Sequence, residues 1–203
     1  WAASRPDDGS WIVTHGWLET SMIAFFMLLF LIRFRPWMVP RRWSRAHAGV
    51  GAFNMVRTAE YRAAGGHVPL AMEVIDDVKL GKLMKRATGR SACLAAGDLV
   101  RVRWVEGVGG MVHGLEKNAF AGFGFQPLGV IAGMAFVLLL AWWPWVALVA
   151  GGGWGVRAAA ALAVAGSMLS TAVFGMGQSI RWHHALGYGI AAPVMGWIFL
   201  RSM

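Results

Sequence analysis

Two adjacent carboxylates are the residues of this chain whose type and position could do chemistry. Asp76 and Asp77 open the stretch Ile75 to Gly89, where apolar residues recur at helical spacing and predict a helix. In a first helical turn, free N–H groups and the helix dipole favour the charged carboxylate. A charged carboxylate can act as a general base toward a hydroxyl group. An acid that only stabilises the helix end is the alternative, and spacing alone leaves both open.

Arg101, Arg103 and Trp104 form a second polar set, with Arg103 lying 26 residues after the second carboxylate. The stretch Leu99 to Trp104 predicts a strand with both arginines on one face. Guanidinium groups there could neutralise phosphate oxygens, whereas a half-exposed strand with solvated arginines is the alternative. His67 is a lone histidine, and such a residue is more often a surface or packing residue than a ligand.

The elements around the carboxylates predict a compact α/β region. Gly51 to Val56 is typical of a short strand, and Thr58 to Ala64 of a helix. Gly65 and Gly66 should stop that helix, because paired glycines supply a left-handed termination. Ser91 to Leu94 is a further strand candidate.

Three later apolar runs predict membrane spans. With 57% hydrophobic residues, 14% charged residues and a mean hydropathy of +0.53, the chain is too apolar for an ordinary soluble domain. The runs are Pro127 to Ala150, Ala158 to Gly177 and Ala185 to Leu200, each near the roughly 20 residues that cross a bilayer. A large buried helical hairpin is the alternative.

An earlier apolar run, Met22 to Ile32, is shorter and is followed by a cluster of arginines. Trp17 and Trp37 lie near its ends, so we expect it to lie in the membrane interface. A spanning helix that begins at Trp17 is the alternative. A second interfacial helix is expected between Gly107 and Phe125, ahead of the first later span.

Charge divides the chain into a polar part and an apolar part. Residues 1–125 contain sixteen Lys and Arg and ten Asp and Glu, a net charge of +6, and only three arginines lie beyond them. This balance suits anionic lipid headgroups or phosphorylated substrates. We expect no nucleic-acid partner, because the basic residues match no recognisable reader module. The single Cys93 excludes an internal disulfide and fits a reducing, cytoplasm-facing location.

Four motifs in sequence carry a resemblance to a known family. They are, from Gly51 onward, G-A-F-N-M-V-R-x-x-x-Y-x-x-x-G-G-H, I-D-D-V-K-L-G-x-L-x-K, V-R-V-R-W and K-N-x-F-A-G. Over roughly Trp17 to Met203 the chain resembles the C-terminal half of membrane-anchored family 2 glycosyltransferases, in particular the ceramide-glucosyltransferase-like and hopanoid-associated members. The resemblance implies an α/β fold with membrane helices: half of a GT-A-like (nucleotide-diphospho-sugar transferase) domain in residues 1–125, then about three transmembrane helices in 126–203.

The resemblance also implies roles for individual residues. Asp77 would be the catalytic base, with Asp76 where the family often has glutamate. Contacts to the donor diphosphate or the acceptor would come from these residues: Arg101, Arg103, Trp104, Asn54 and His67. The family's Q/R-x-x-R-W motif is assigned to the segment ending at Trp104, with Val100 in place of its first residue. A literal match at Gln178 to Trp182 begins 101 residues beyond Asp77, between two apolar runs, and is not chosen.

The reaction implied is inverting transfer of a sugar from a nucleotide-sugar donor to a lipid hydroxyl, at the cytoplasmic face of the bacterial inner membrane. A divalent metal, Mg²⁺ or Mn²⁺, is expected from the family, but the sequence contains no D-x-D motif to hold it. We therefore expect a chain that lacks the donor-binding half, is truncated at both ends and is inactive alone. The rival classes are a non-catalytic scaffold that binds anionic lipid and a transport subunit, although the later spans contain no ionisable residue at their centres.

Overall fold

The computed structural model describes residue 14, residues 16–94, residue 100, residues 102–176 and residues 182–203. The described residues form eight α-helices, joined by short loops and 3₁₀ turns. The helices are α1 Trp17–Phe34, α2 Thr58–Ala63, α3 Asp76–Thr88, α4 Gly107–Gly122, α5 Pro127–Ala141, α6 Trp143–Ala150, α7 Trp154–Met176 and α8 Tyr188–Arg201. The 3₁₀ turns are Pro36–Met38, Val68–Leu70 and Trp182–Gly187.

The chain divides into two compact units, and α1 contributes to both. The helical unit comprises Trp1–Leu28 and Ala96–Met203, and the basic unit comprises Leu29–Ala95. The basic unit contains twelve Lys and Arg and four Asp and Glu, a net charge of +8. The division at residue 125, which rests on composition and on the family resemblance, stays a prediction.

The core of the helical unit lies along α8. This helix packs against α4 and α5, while α6 packs against α7. Tyr188, Met195 and Ile198 are fully buried. Small residues permit the close approach: a β-carbon on Gly196 would already touch the Met134 side chain at 3.4 Å. Burial of these apolar side chains is the main contribution to the stability of this unit.

In the part of the chain that the structure describes, two helices are long and apolar enough to cross a membrane, or three if a bent pair counts as one span. They are Trp17–Met38, with 22 residues, and Trp154–Val173, with 20. The pair α5 and α6 is bent by 42°. Pro144 explains the break, because proline has no N–H to continue the hydrogen-bond ladder of α5. These helices support the prediction of a membrane protein and its first two later spans.

Two membrane expectations can be compared with the helices. The first apolar run lies in a helix, Trp17–Phe34, that is long and apolar enough to span, and the interfacial helix and the spanning alternative both stay predictions. The third predicted span, Ala185 to Leu200, contains α8, which has only 14 residues and covers about 21 Å at 1.5 Å per residue. Six of its residues are buried within the unit, among them Met195 and Ile198, so these side chains serve packing.

The expected α/β fold is not supported. No segment of the described residues forms a β-strand, although Val102 makes an isolated β-bridge. Gly51 to Val56 is instead a turn and an extended loop, because its polar groups bond locally: Phe53 N–H donates to the Val50 carbonyl at 3.0 Å. Residues 91–94 and 103–104 are loop as well, and the rest of the strand predicted from Leu99 lies outside the described residues, apart from Val100 and Val102.

The helices predicted in the polar region are confirmed. The observed bounds Thr58–Ala63 and Asp76–Thr88 lie within a residue of those expected. Gly65 and Gly66 have φ of 88° and 61°, and Gly89 ends α3 at φ 66°. These left-handed positions are the reason that glycine follows each helix.

Candidate functional site

The candidate site lies at the first turn of α3 in the basic unit. Asp77 is half-buried, and its two carboxylate oxygens accept hydrogen bonds from different backbone groups. Oδ1 accepts from Val78 N–H at 2.7 Å, and Oδ2 accepts from Gly51 N–H at 2.7 Å. Asp76 is exposed, and its Oδ1 accepts from Asp77 N–H at 3.0 Å. The first turn thus holds the Asp77 carboxylate in one orientation against a loop 26 residues away in sequence.

Asn54 shapes the loop that contacts Asp77. Its Oδ1 accepts from Val50 N–H at 3.1 Å, while Phe53 N–H closes the same turn. The turn aims Gly51 N–H at the carboxylate. The structure therefore brings together Asp76, Asp77 and Asn54 of the predicted site, with Asn54 acting through the backbone of the loop.

Two glycines allow this loop to lie directly on α3. A β-carbon on Gly49 would overlap the Asp77 carbonyl oxygen, and one on Gly81 would overlap the Ala48 carbonyl oxygen. A larger residue at either position would push the loop away from Asp77. Sequence reasoning missed Gly81, although glycine inside a helix costs about 1 kcal/mol relative to alanine and often marks close backbone approach.

Lys85 is a second residue that sequence reasoning missed. The residue carries a charged side chain, yet it is only 7% exposed. Its ammonium group donates to the carbonyl oxygens of Val39 at 2.7 Å and Arg41 at 3.0 Å. A buried ammonium group needs such partners, because an unpaired charge in an apolar environment is costly. Lys85 thus ties α3 to the segment that follows α1, and no sequence pattern indicates this.

His67 lies elsewhere on the basic unit. It is exposed, and its Nδ1 is hydrogen-bonded to the Tyr61 hydroxyl. The two rings meet edge to face, with centroids 5.5 Å apart. No hydrogen bond joins His67 to Asp77 among the described residues. Tyr61 also packs against a small core of Leu70, Leu80 and Met84, which holds α2 and the following turn against α3.

The arginine and tryptophan predicted to contact the donor belong to the other unit. Arg103 is exposed, and Trp104 packs on Phe26 with ring centroids 4.8 Å apart. Arg101 lies outside the described residues, as do residues 178–181 of the literal Q-x-x-R-W match. The predicted site residues are therefore distributed over two units, with the carboxylates in the basic unit and Arg103 and Trp104 in the helical unit.

The electrostatics of the basic unit are dominated by cations. Burial lowers the pKa of His47, against a hydrogen bond to the Arg45 carbonyl that raises it, and the nearby charges of Lys82, Arg33 and Arg86 lower it further. Burial also raises the pKa of the Cys93 thiol, which disfavours the reactive thiolate. The described residues contain no group of three His, Cys, Asp or Glu side chains that could hold a metal ion.

Comparison of the chain with protein-family models, curated proteins and solved structures finds no match.

Proposed function

We propose that this chain is the membrane-embedded, acceptor-side part of a family 2-like glycosyltransferase that acts on a lipid hydroxyl. The observation that carries the proposal is the Asp77 carboxylate, held by Gly51 N–H and Val78 N–H yet still half-exposed. Each carboxylate oxygen can accept more than one hydrogen bond, so both retain capacity for a hydroxyl group. Helices long and apolar enough for a membrane fit a lipid acceptor.

In the proposed reaction Asp77 takes the proton of the acceptor hydroxyl. The acceptor oxygen then bonds to the anomeric carbon of the sugar, and the bond from that carbon to the nucleoside diphosphate breaks with inversion. Two backbone N–H donors hold the carboxylate, so it need not reorganise during proton transfer. Asp76 positions Asp77 through the hydrogen bond to its backbone N–H. Asn54 positions it through the Gly51 turn.

The departing diphosphate needs cationic partners. From the family resemblance we assign this role to Arg101, Arg103 and Trp104, and we assign His67 a contact to the acceptor or the diphosphate. Guanidinium groups bind phosphate oxygens through charge-assisted hydrogen bonds. The family resemblance adds Mg²⁺ or Mn²⁺, but the described residues do not fit such an ion, because they provide no three-ligand cluster. No step is therefore assigned to a metal here.

A test of this role compares carboxamide variants of the open reading frame that contains these residues, expressed in bacterial membranes. Transfer of sugar from a panel of labelled nucleotide-sugars to membrane lipid is the readout. Asp77→Asn should lower the rate by roughly 10²- to 10⁴-fold, the usual contribution of a general base, with donor binding nearly unchanged. Glu60→Gln is the matched control, since it removes another carboxylate of the basic unit, which among the described residues pairs only with Arg57, at 4.0 Å.

Near-normal turnover by Asp77→Asn would remove Asp77 from the base role. If the unsubstituted protein transfers sugar from none of the donors, the proposal that it is a glycosyltransferase is wrong. Residues 1–203 alone are expected to give no turnover, because their sequence has no D-x-D motif.

A second candidate function is a scaffold that binds anionic lipid, favoured by the net charge of +8 on the basic unit. A scaffold would keep its lipid binding when Asp77 and Arg103 are replaced. Binding of a nucleotide-sugar to the parent protein would separate the two, since a scaffold has no use for a donor.

A further inference from the structure

A cationic cleft lies in the basic unit, beside the end of α1 and away from Asp77 in sequence. Its volume is about 90 Å³, roughly that of three water molecules in the liquid. Its lining residues are Arg33, Phe34, Arg35, Arg45, Ala46 and His47. Three guanidinium groups and one imidazole therefore contribute to its wall, and no lining residue is acidic.

No carboxylate of the described residues lies within ion-pair distance of these arginines. Three ion pairs form among the described residues, and none of them uses an arginine of this cleft. Instead, further cations lie close by, since Lys82 and Arg86 as well as Arg33 lower the pKa of His47. Like charges this close repel one another, so an anion between them would relieve the repulsion. The cleft thus has an excess of positive charge, which is the feature expected of an anion-binding site.

The backbone at the cleft also carries strain. Arg35 adopts φ 47° and ψ 62°, the left-handed region, directly before Pro36. A non-glycine residue is strained there, and such positions cluster at ligand-binding sites. The turn ends α1 and starts the segment that returns through Arg45 and His47. Retention of a strained arginine at this point fits a role for its side chain in binding.

The residues around the cleft are of the kinds expected at a membrane surface. The cleft lies where the candidate span Trp17–Met38 ends. Trp37 and Trp43 are 55% and 72% exposed, and the Arg41 guanidinium lies 5.7 Å from the Trp43 ring. Exposed indoles beside arginines are typical of the headgroup layer, where an amphipathic ring and a cation both find partners. A phosphate that reaches this cleft would therefore come from a lipid.

We infer that the cleft formed by Arg33, Arg35, Arg45 and His47 binds the phosphate of an anionic lipid headgroup. The guanidinium groups bind the phosphate oxygens in pairs, as arginine forks do. The bound lipid fixes the end of α1 at the headgroup layer. This inference does not rest on the proposed sugar transfer, because it needs neither Asp77 nor a donor.

The test is a lipid titration of the full chain in neutral detergent, followed by native mass spectrometry. Phosphatidylglycerol is the probe, and phosphatidylcholine is the zwitterionic comparison, whose phosphate charge is balanced by its choline ammonium group. The parent should bind phosphatidylglycerol more tightly, and Arg33→Gln/Arg45→Gln should weaken it by roughly 10- to 30-fold, since each cation near a lipid surface contributes about 1 kcal/mol. Arg33→Lys/Arg45→Lys keeps both positive charges but removes the paired N–H donors of the guanidinium groups. Its affinity for phosphatidylglycerol should lie between those of the parent and the glutamine variant.

Arg62→Gln/Arg90→Gln is the matched control, because it removes two exposed arginines of the same unit that do not line the cleft. It should leave lipid affinity within about twofold, the small effect expected of charges screened by solvent. An equal loss in this control would show a diffuse charge effect and overturn the site. Unchanged affinity in the Arg33/Arg45 variant would overturn it as well.

Inorganic phosphate and a nucleoside diphosphate are added as competitors. Neither should displace phosphatidylglycerol at millimolar concentration; full displacement would mean that the cleft serves a soluble phosphate and would overturn the lipid assignment. If Arg33→Gln/Arg45→Gln loses helix content by circular dichroism, Arg45→Gln alone is measured with the same readout. Arg45 lies outside α1 and outside the strained turn, so its replacement leaves the helix end intact.

Discussion

At the scale of single residues, backbone groups set the environment of the functional candidates. Asp77 is oriented by two N–H donors, and Lys85 by two carbonyl acceptors. Both side chains join α3 to segments distant in sequence. The contact of Asp77 suits a base that must remain charged and half-exposed, whereas the burial of Lys85 suits a structural role.

Lys85→Met should destabilise the basic unit by about 1–3 kcal/mol. Methionine keeps most of the apolar stem but leaves the carbonyl oxygens of Val39 and Arg41 without their donor, and an unsatisfied buried polar group costs this much. The measurement is denaturant-dependent proteolysis within residues 29–95. Lys82→Met is the control on the same helix, and equal losses in both variants would show that the two carbonyl contacts contribute nothing.

At the scale of elements, the decisive packing is between α3 and the loop of residues 48–51. Glycine at 49 and 81 lets two backbone segments touch, and the loop then presents Gly51 N–H to Asp77. The site therefore depends on close contact between two backbone segments. The side chains of Asn54 and Asp77 then form hydrogen bonds with the loop.

Gly81→Ala should destabilise the protein, although alanine is the better helix former. An exposed helical glycine gains about 1 kcal/mol when replaced by alanine. Here the new methyl group would overlap the Ala48 carbonyl oxygen, so the loop must move. The midpoint of unfolding should fall, and sugar transfer, if present, should fall with it. Gly109→Ala in α4 meets no atom within 4 Å and is the control expected to be neutral or stabilising. A rise for Gly81→Ala would contradict the packing.

At the scale of the whole molecule, α1 belongs to both compact units and is long and apolar enough to span a membrane. Its apolar run is followed by the arginines that line the cationic cleft. The arginine-rich end is expected to face the cytoplasm, because positive residues are retained on that side.

Cysteine labelling in intact cells tests whether α1 spans. In a Cys93→Ser background, Thr14→Cys should react with a membrane-impermeant maleimide added outside, because Thr14 precedes the helix. Trp43→Cys should react only after the membrane is opened, and Leu94→Cys, 84% exposed in the basic unit, should behave like Trp43→Cys. Identical labelling of all three positions would show that both ends of α1 lie on the same side of the membrane, so that α1 is an interfacial helix.

The sequence by itself determined the membrane class and the local helices of the polar region. Apolar run length, first-turn acids and glycine terminations are local signals, and they predicted α2, α3 and α7 to within a few residues. They could not exclude strands, because a short alternating run such as Gly51 to Val56 forms a strand only when a partner strand is present. Here Gly51 N–H donates a hydrogen bond to Asp77, and Phe53 N–H donates one to the Val50 carbonyl within a turn.

Only the tertiary structure decided which residues meet. Sequence order predicted a role for Asp77, but neither the contact from Gly51 nor the burial of Lys85 has a local signature. Each depends on segments that lie far apart along the chain and come together through packing. The apolar run of α8 likewise predicted a membrane span, whereas in the structure many of its residues are buried against other helices. Sequence alone could not separate the two, because burial in protein and burial in lipid favour the same apolar side chains.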